Sequence, residues 1–398
     1  ERRPLSAAGL ELFGLRRIPI VDRAEERESL WAALKQVDRT DEPMAVLLEG
    51  IAGSGKSKLA DWLQRRATEL GSATGLRATH GPTGGRSDGL APMVLRHFRL
   101  EGLEKPDSVD MLADRLTRIG IDESTAEFDA EGICETVDRS DPDGSRGDGF
   151  RRPREGYMAI RRVLSAMADD RPVILWLDDI PWGRGSARFV EFLLTEEHDD
   201  RLPVLVVMTA RRRAWRRQSD VRELLEPLLE SPDGMRLSVE PLANRDQRAM
   251  IDRMLRFSPD VADQLVDRTG GNPLLASQLV RDWVNRDVLE NSDDGFVLSG
   301  EASGRLPDDL RDLWDRRIED IVASYPTLDR PRVRRALELA AALGKQVDRR
   351  EWLTVLDLCD LHPPRGLVNR LAEAGLAEVH SNGWAFVHGL LVEALDSM

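Results

Sequence analysis

The chain has 398 residues, 41% of them hydrophobic and 32% charged, with a net charge of −14. That length calls for two or three domains rather than one core, and no apolar run approaches the roughly 18 residues a membrane span needs. The acidic balance argues against a dedicated nucleic-acid surface, which needs a basic excess. Two distant cysteines, Cys134 and Cys359, suggest neither a disulfide framework nor a zinc site, so a reducing cytoplasm is the expected setting. The chain opens at Glu1 without a charged-then-apolar leader and is expected to be part of a longer polypeptide.

Residues 1–40 read as an entry strap, with an amphipathic helix from Glu25 to Leu34. Met44–Glu49 is a short apolar run between Pro43 and Gly50, a strand. Lys58–Leu70 follows with Leu59, Ala60, Leu63 and Ala67 at helical spacing. Between them, Gly50-Ile51-Ala52-Gly53-Ser54-Gly55-Lys56-Ser57 satisfies Gly-x4-Gly-Lys-Ser in the strand, loop, helix order that its mechanism demands. The glycines let the backbone curl so that the N–H groups from Gly50 through Lys58, including those of Ala52, Gly53, Ser54 and Gly55, face a phosphate at a helix N-terminus. Lys56 reaches the β and γ oxygens, and Ser57 offers its hydroxyl to Mg²⁺, which prefers hard oxygen ligands.

Residues 72–92 read as a strand end plus a long loop, and 93–118 as two helical pieces. Residues 120–152 have few large apolar side chains and read as a mobile surface insertion in a nucleotide-binding α/β domain spanning 41–240. After a helix at Tyr157–Ala168, Val173–Leu177 is a continuous apolar strand that delivers Asp178 and Asp179 at its carboxyl end, where open α/β sheets bind ligands. Asp178 is the expected magnesium holder, and Asp179 the group that orients or activates a water against the γ-phosphate. A further strand, Val204–Met208, leads into Thr209-Ala210-Arg211, where Arg211 is placed to sense the γ-phosphate. Uninterrupted β-branched strands alternating with helices predict a parallel sheet covered on both faces. The arginine run at 211–213, 216 and 217 reads as a solvated loop and helix start.

Beyond residue 240 the pattern turns helical: 241–325 read as an all-α lid. Residues 326–398 read as a winged-helix-like module that ends in a hairpin about Ser381-Asn382-Gly383. His80, His97, His198, His362 and His380 show no ligand spacing and read as surface or loop groups.

With Asp178-Asp179-Ile180-Pro181-Trp182, Thr209-Ala210-Arg211 and Gly270-Gly271-Asn272-Pro273-Leu274 following the phosphate loop in that order, the chain resembles, over about residues 15–395, the STAND class of signal-transducing P-loop ATPases within the AAA+ group. The resemblance implies ATP or ADP with Mg²⁺ as cofactors, Pro273 against the adenine and ribose, and His388 reaching toward the diphosphate. It also implies a slow, regulatory ATPase of a bacterial signalling protein that opens and closes with its nucleotide. Partners would be another protein or flanking domains, with no nucleic acid or membrane bound directly and a nucleotide-dependent oligomer possible. Two positions depart from the family: Val21-Asp22-Arg23-Ala24-Glu25 replaces its usual Gly-Arg entry, and Arg184 stands where it has Asp. A ring-forming AAA+ motor, a P-loop kinase and a regulator working with a DNA-binding domain are the alternatives.

Overall fold

A computed structural model describes residues 20–82, 84–85, 87–101, 103, 105–138, 153–196, 202–299, 310–380, 382–387, 391–392 and 395. Two compact units share the chain, one comprising Ala24–Ala52 with Lys56–Val239, the other Glu1–Arg23, Gly53–Gly55 and Glu240–Met398.

The first unit runs α1 (Ala24–Thr40), β1 (Met44–Gly50), α2 (Lys56–Glu69), β2 (Thr74–Thr79), α3 (Leu90–His97), α4 (Lys105–Arg118), α5 (Glu123–Asp138) and α6 (Pro153–Met167). It continues with β3 (Val173–Asp178), α7 (Arg184–Thr195), β4 (Val204–Arg211), α8 (Arg212–Arg217), α9 (Ser219–Leu229) and β5 (Gly234–Ser238). The five strands form one parallel sheet in the order β2-β3-β4-β1-β5. Side chains alternate across a strand, and here the two parities feed two cores. Val46, Leu48, Ile174, Trp176, Leu205 and Val207 pack with Leu30 and Leu34 of α1 and Leu59 and Leu63 of α2. Ala45, Leu47, Leu175, Leu177, Val206 and Met208 pack on the opposite face with residues of α3 to α7 and α9. Burial on both faces is why β1 and β3 are apolar without interruption. Each fully buried Leu or Val contributes about 1.5–3 kcal/mol.

The second unit begins with α10 (Asn244–Met254), α11 (Pro259–Thr269) and α12 (Pro273–Asn285), followed by an antiparallel hairpin, β6 (Leu289–Ser292) and β7 (Gly295–Leu298). Next come α13 (Leu310–Ala323), α14 (Arg330–Ala342), β8 (Gln346–Asp348), α15 (Arg349–Leu358), α16 (Leu367–Glu373), β9 (Ala377–His380) and β10 (Gly383–Phe386). The last three strands form an antiparallel sheet, β8-β10-β9. Trp352 on α15 stands edge-on to Trp384 on β10, ring centroids 5.6 Å apart, and its indole N–H donates to Ala336 O on α14 at 3.1 Å, so one side chain ties three elements. No helix among the described residues is long and apolar enough to cross a membrane.

Two local readings are corrected. The supposed insertion at 120–152 holds a helix, α5, whose Ala126, Ala130, Ile133 and Cys134 are buried. Small residues at helical spacing make this stripe, so the scarcity of large apolar side chains was a false sign of disorder. Residues 139–152 lie outside the described residues. The all-α expectation for 241–325 fails at the β6–β7 hairpin, whose turn is the polar Asp293-Asp294 before Gly295. Gly295 has φ +124°, and a Cβ there would meet Arg256 O at 2.6 Å.

Asp129 on α5 is fully buried and accepts two hydrogen bonds from Arg162 of α6, from Nε at 2.8 Å and Nη2 at 2.5 Å. Replacing Asp129 by Ala strands part of a guanidinium beneath α5. Unfolding in urea is expected to show a loss of about 2–4 kcal/mol, and an unchanged midpoint would show that the pair does not hold α5 to α6.

Candidate functional site

The parallel register brings five chain segments to one row at the carboxyl end of the sheet. Gly50 pairs with Arg211, Glu49 with Ala210 and Ser238, and Thr79 with Asp178. Such an edge, where one crossover leaves β1 toward β2 and another leaves β4 toward β5, is where open α/β sheets bind ligands.

The loop out of β1 is built as the sequence predicts. Gly53 (φ +80°) and Gly55 (φ +105°) occupy the left-handed region, which costs a residue with a Cβ about 1–2 kcal/mol. α2 begins at Lys56, whose Nζ donates to Ile51 O at 2.7 Å and Gly50 O at 3.2 Å. Lys56 is buried, and that desolvation lowers its pKa to about 8, against the upward pull of Asp179 and Asp178, with Arg211 pushing it further down. The Ser54 hydroxyl is also buried and has no hydrogen-bond partner among the described residues. A buried cation and an orphaned donor on a glycine loop fit a phosphate group, whose charge and acceptor oxygens answer both. Lys58 is exposed, so it has only its backbone N–H to offer this loop.

The second part of the site is the end of β3. Asp178 Oδ1 accepts from Ser57 Oγ at 2.9 Å and Thr209 Oγ1 at 2.7 Å, while Oδ2 accepts from Arg77 Nη2 at 2.7 Å. Thr209 Oγ1 in turn accepts from the Asp179 N–H at 2.9 Å. Asp179 turns the chain with φ 54° into a 3₁₀ turn, Ile180–Trp182, and its Oδ1 lies 3.4 Å from Arg211 Nε. Ser57 and Asp178 are thus hydrogen-bonded, and Asp179 and Arg211 face each other. Arg212 and Arg236 flank Glu49 at 3.9 and 3.7 Å. The arginine run is therefore engaged at its start, and only Arg213, Arg216 and Arg217 are exposed. Arg184, the departure after Trp182, lies 3.4 Å from Asp220 on α9.

His80 overturns its reading as a surface group. Its ring is buried beneath the Asp178–Asp179 turn, Nδ1 2.8 Å from Asp178 O and Nε2 2.8 Å from Ser186 Oγ on α7. A carbonyl only accepts, so Nδ1 carries the proton; burial lowers the pKa and keeps the ring neutral, leaving Nε2 to accept from the serine hydroxyl. A Cβ on Gly183 would come 2.5 Å from the ring, so glycine there makes room for it.

Gly53, Ser54 and Gly55 group with the second unit. There the Leu274 N–H donates to Gly53 O at 3.3 Å, and a Cβ on Gly53 would meet Asn272 Oδ1 at 2.5 Å. Asn272 caps α12, accepting from the N–H groups of Leu274 and Leu275, which sets Pro273 in the first helical turn. Arg23, in the segment that departs from the family entry, is buried and donates to Ser54 O at 3.3 Å and to Glu240 O. His388 lies outside the described residues. No sequence motif marks Arg77, His80 or Arg23 as a site residue. Alternation along β2 points only to Arg77, placing Gly75, Arg77 and Thr79 on one face.

A glycine loop with a buried lysine, joined through Ser57 to an acidic strand end on a parallel sheet, defines a P-loop ATPase. Residues 19–207 match the family described as the AAA ATPase domain. Among solved structures, the chain is similar to the Aeropyrum pernix ORC1 protein in complex with DNA, at 15% identity and a TM-score of 0.43 over 97% of this chain and 96% of that one. It is similar to a Walker-type ATPase of Pyrococcus abyssi at 16% identity and a TM-score of 0.40, over 96% and 99% of the two chains. Domain III of the Thermotoga maritima replication initiation protein DnaA gives 13% identity and a TM-score of 0.38, over 74% and 91%. No curated protein matches the sequence.

The lowered Lys56 pKa has a thermodynamic consequence. Phosphate oxygens restore the ammonium, so ADP binding at pH 8 is expected to take up about half a proton, and affinity should fall as pH rises through about 8. Calorimetric titrations in two buffers of different ionisation enthalpy measure this directly; heats that do not depend on the buffer at pH 8 would show that Lys56 is already fully charged before binding.

Proposed function

We propose that the chain is an ATP/ADP-binding molecular switch of the STAND kind, hydrolysing ATP slowly to reset itself. The observation that carries this reading is the Arg211–Asp179 pair at the same sheet end as the phosphate loop, 3.4 Å between Nε and Oδ1. Lys56 binds the β and γ oxygens, with the backbone donors of Gly50 to Lys58 around them. Ser57 and Asp178 supply the hard oxygens that suit Mg²⁺, which brings charge neutralisation to the phosphates when bound. Thr209 fixes both acids, because one hydroxyl donates to Asp178 and accepts from the Asp179 backbone.

In this reading Arg211 covers Asp179 when no γ-phosphate is present and the carboxylate is held by its partner. A γ-phosphate at the loop offers the guanidinium a doubly charged acceptor, and drawing Arg211 toward it releases Asp179 to orient a water. ADP leaves the pair closed. A nucleotide shifts the switch only by its difference in affinity for the two forms, and this arginine is the source of that difference. Pro273 against the adenine and His388 near the diphosphate are the roles the family resemblance lends to the helical part. Residues 326–398, helices followed by an antiparallel hairpin, are proposed as a winged-helix-like output module that signals to a partner protein or a flanking domain.

Three substitutions separate these roles. Lys56→Ala is expected to abolish the rise in thermal midpoint with ADP, which for wild type at about 100 times the dissociation constant corresponds to about 2.7 kcal/mol. Asp179→Asn should keep nucleotide binding and slow turnover about 100-fold or more. Arg211→Ala should bring the affinities for ATP and ADP together; an unchanged ratio of the two would remove Arg211 as the sensor and the switch reading with it.

A further inference from the structure

Asp178 already has a cation. Arg77 lies directly across the β2–β3 ladder from Trp176, and Asp178 is two residues further along β3 on the same face. The guanidinium carbon sits 3.9 Å from the Trp176 ring centroid, over its face, and Nη2 donates to Asp178 Oδ2 at 2.7 Å. The Trp176 ring is buried, and Arg77 Nε is buried without a hydrogen-bond partner, so the side chain is laid flat and held in place. Ser57 and Thr209 also meet this carboxylate, both on Oδ1. Lys56 also feels its charge.

Resting on the nucleotide-site reading above, we propose that Arg77 is a positioning residue that stands in for the divalent cation at Asp178 and competes with it. A carboxylate oxygen committed to a guanidinium has less electron density to give to Mg²⁺ or to its coordinated water, and the two cations repel each other across a few ångströms. The competition has two sides. The site binds its metal weakly, and it holds a diphosphate without metal better than a loop with a bare Asp178, because the repulsion between carboxylate and phosphate is already screened. Nucleotide binding in this protein is therefore only loosely coupled to magnesium. Trp176 contributes by keeping the guanidinium within reach, since Arg stacks on an aromatic face while Lys offers only a point charge.

The test uses the full chain and its Arg77→Gln and Arg77→Lys variants, with Mn²⁺ as the metal probe and ADP as the nucleotide. Free Mn²⁺ is measured by electron paramagnetic resonance at saturating ADP, and ADP affinity is measured separately in EDTA. Arg77→Gln is expected to bind Mn²⁺ about fivefold to tenfold more tightly and to bind ADP more weakly than wild type in EDTA. Arg77→Lys should fall between the two and provides the readout where the Gln variant folds poorly. A residue with a merely structural role would lower stability without tightening the metal. Mn²⁺ affinity that is unchanged or weaker in variants that still bind ADP overturns the competition while leaving the nucleotide site standing. Failure of the unsubstituted chain to bind ADP, indistinguishable from Lys56→Ala, overturns both.

Discussion

The site depends on housing one carboxylate where little water reaches it. Asp178 ends a strand with both faces covered and is itself almost fully buried. A charge there costs several kcal/mol unless donors replace its water. Donors reach it from α2, β2 and β4. Satisfying this anion therefore also joins the phosphate-loop helix to two strands of the sheet. Its main-chain carbonyl is held as well, by His80, so both the charge and the backbone of the turn are fixed by the protein's own groups.

Strand parity explains why those donors meet. On β3, Ile174, Trp176 and Asp178 share a face; on β4, Leu205, Val207, Thr209 and Arg211 do; on β1, Val46, Leu48 and Gly50 do. The apolar members of all three sets enter the core shared with α1 and α2. Hydrophobic burial at one end of each strand thus sets the polar constellation at the other. A slip of one residue in any strand would send its functional group to the opposite face along with its apolar residues.

This division also accounts for what could be read from the sequence. The glycine loop, Lys56 and Ser57 form one local segment, and β1, β3 and β4 announce themselves as unbroken apolar runs because each is covered twice. β5 is an edge strand, Gly234–Ser238, with mixed exposure and no such run, and it escaped notice. α5 escaped because its stripe is made of Ala and Cys as well as Ile. Arg77 and His80 are ordinary residues in the one-dimensional text. They meet the site through β2–β3 pairing across about a hundred positions, a register set by the crossover between the strands and not by either strand's composition.

The sheet order adds a last constraint. β4 lies between β1, which carries the phosphate loop, and β3, which carries the acids. Its Thr209 and Arg211, two residues apart on one face, address Asp178 and Asp179 respectively, and Thr209 also receives the Asp179 N–H. A small displacement of the end of β4 therefore changes the surroundings of both acids together, while Ser57 keeps Asp178 tied to α2.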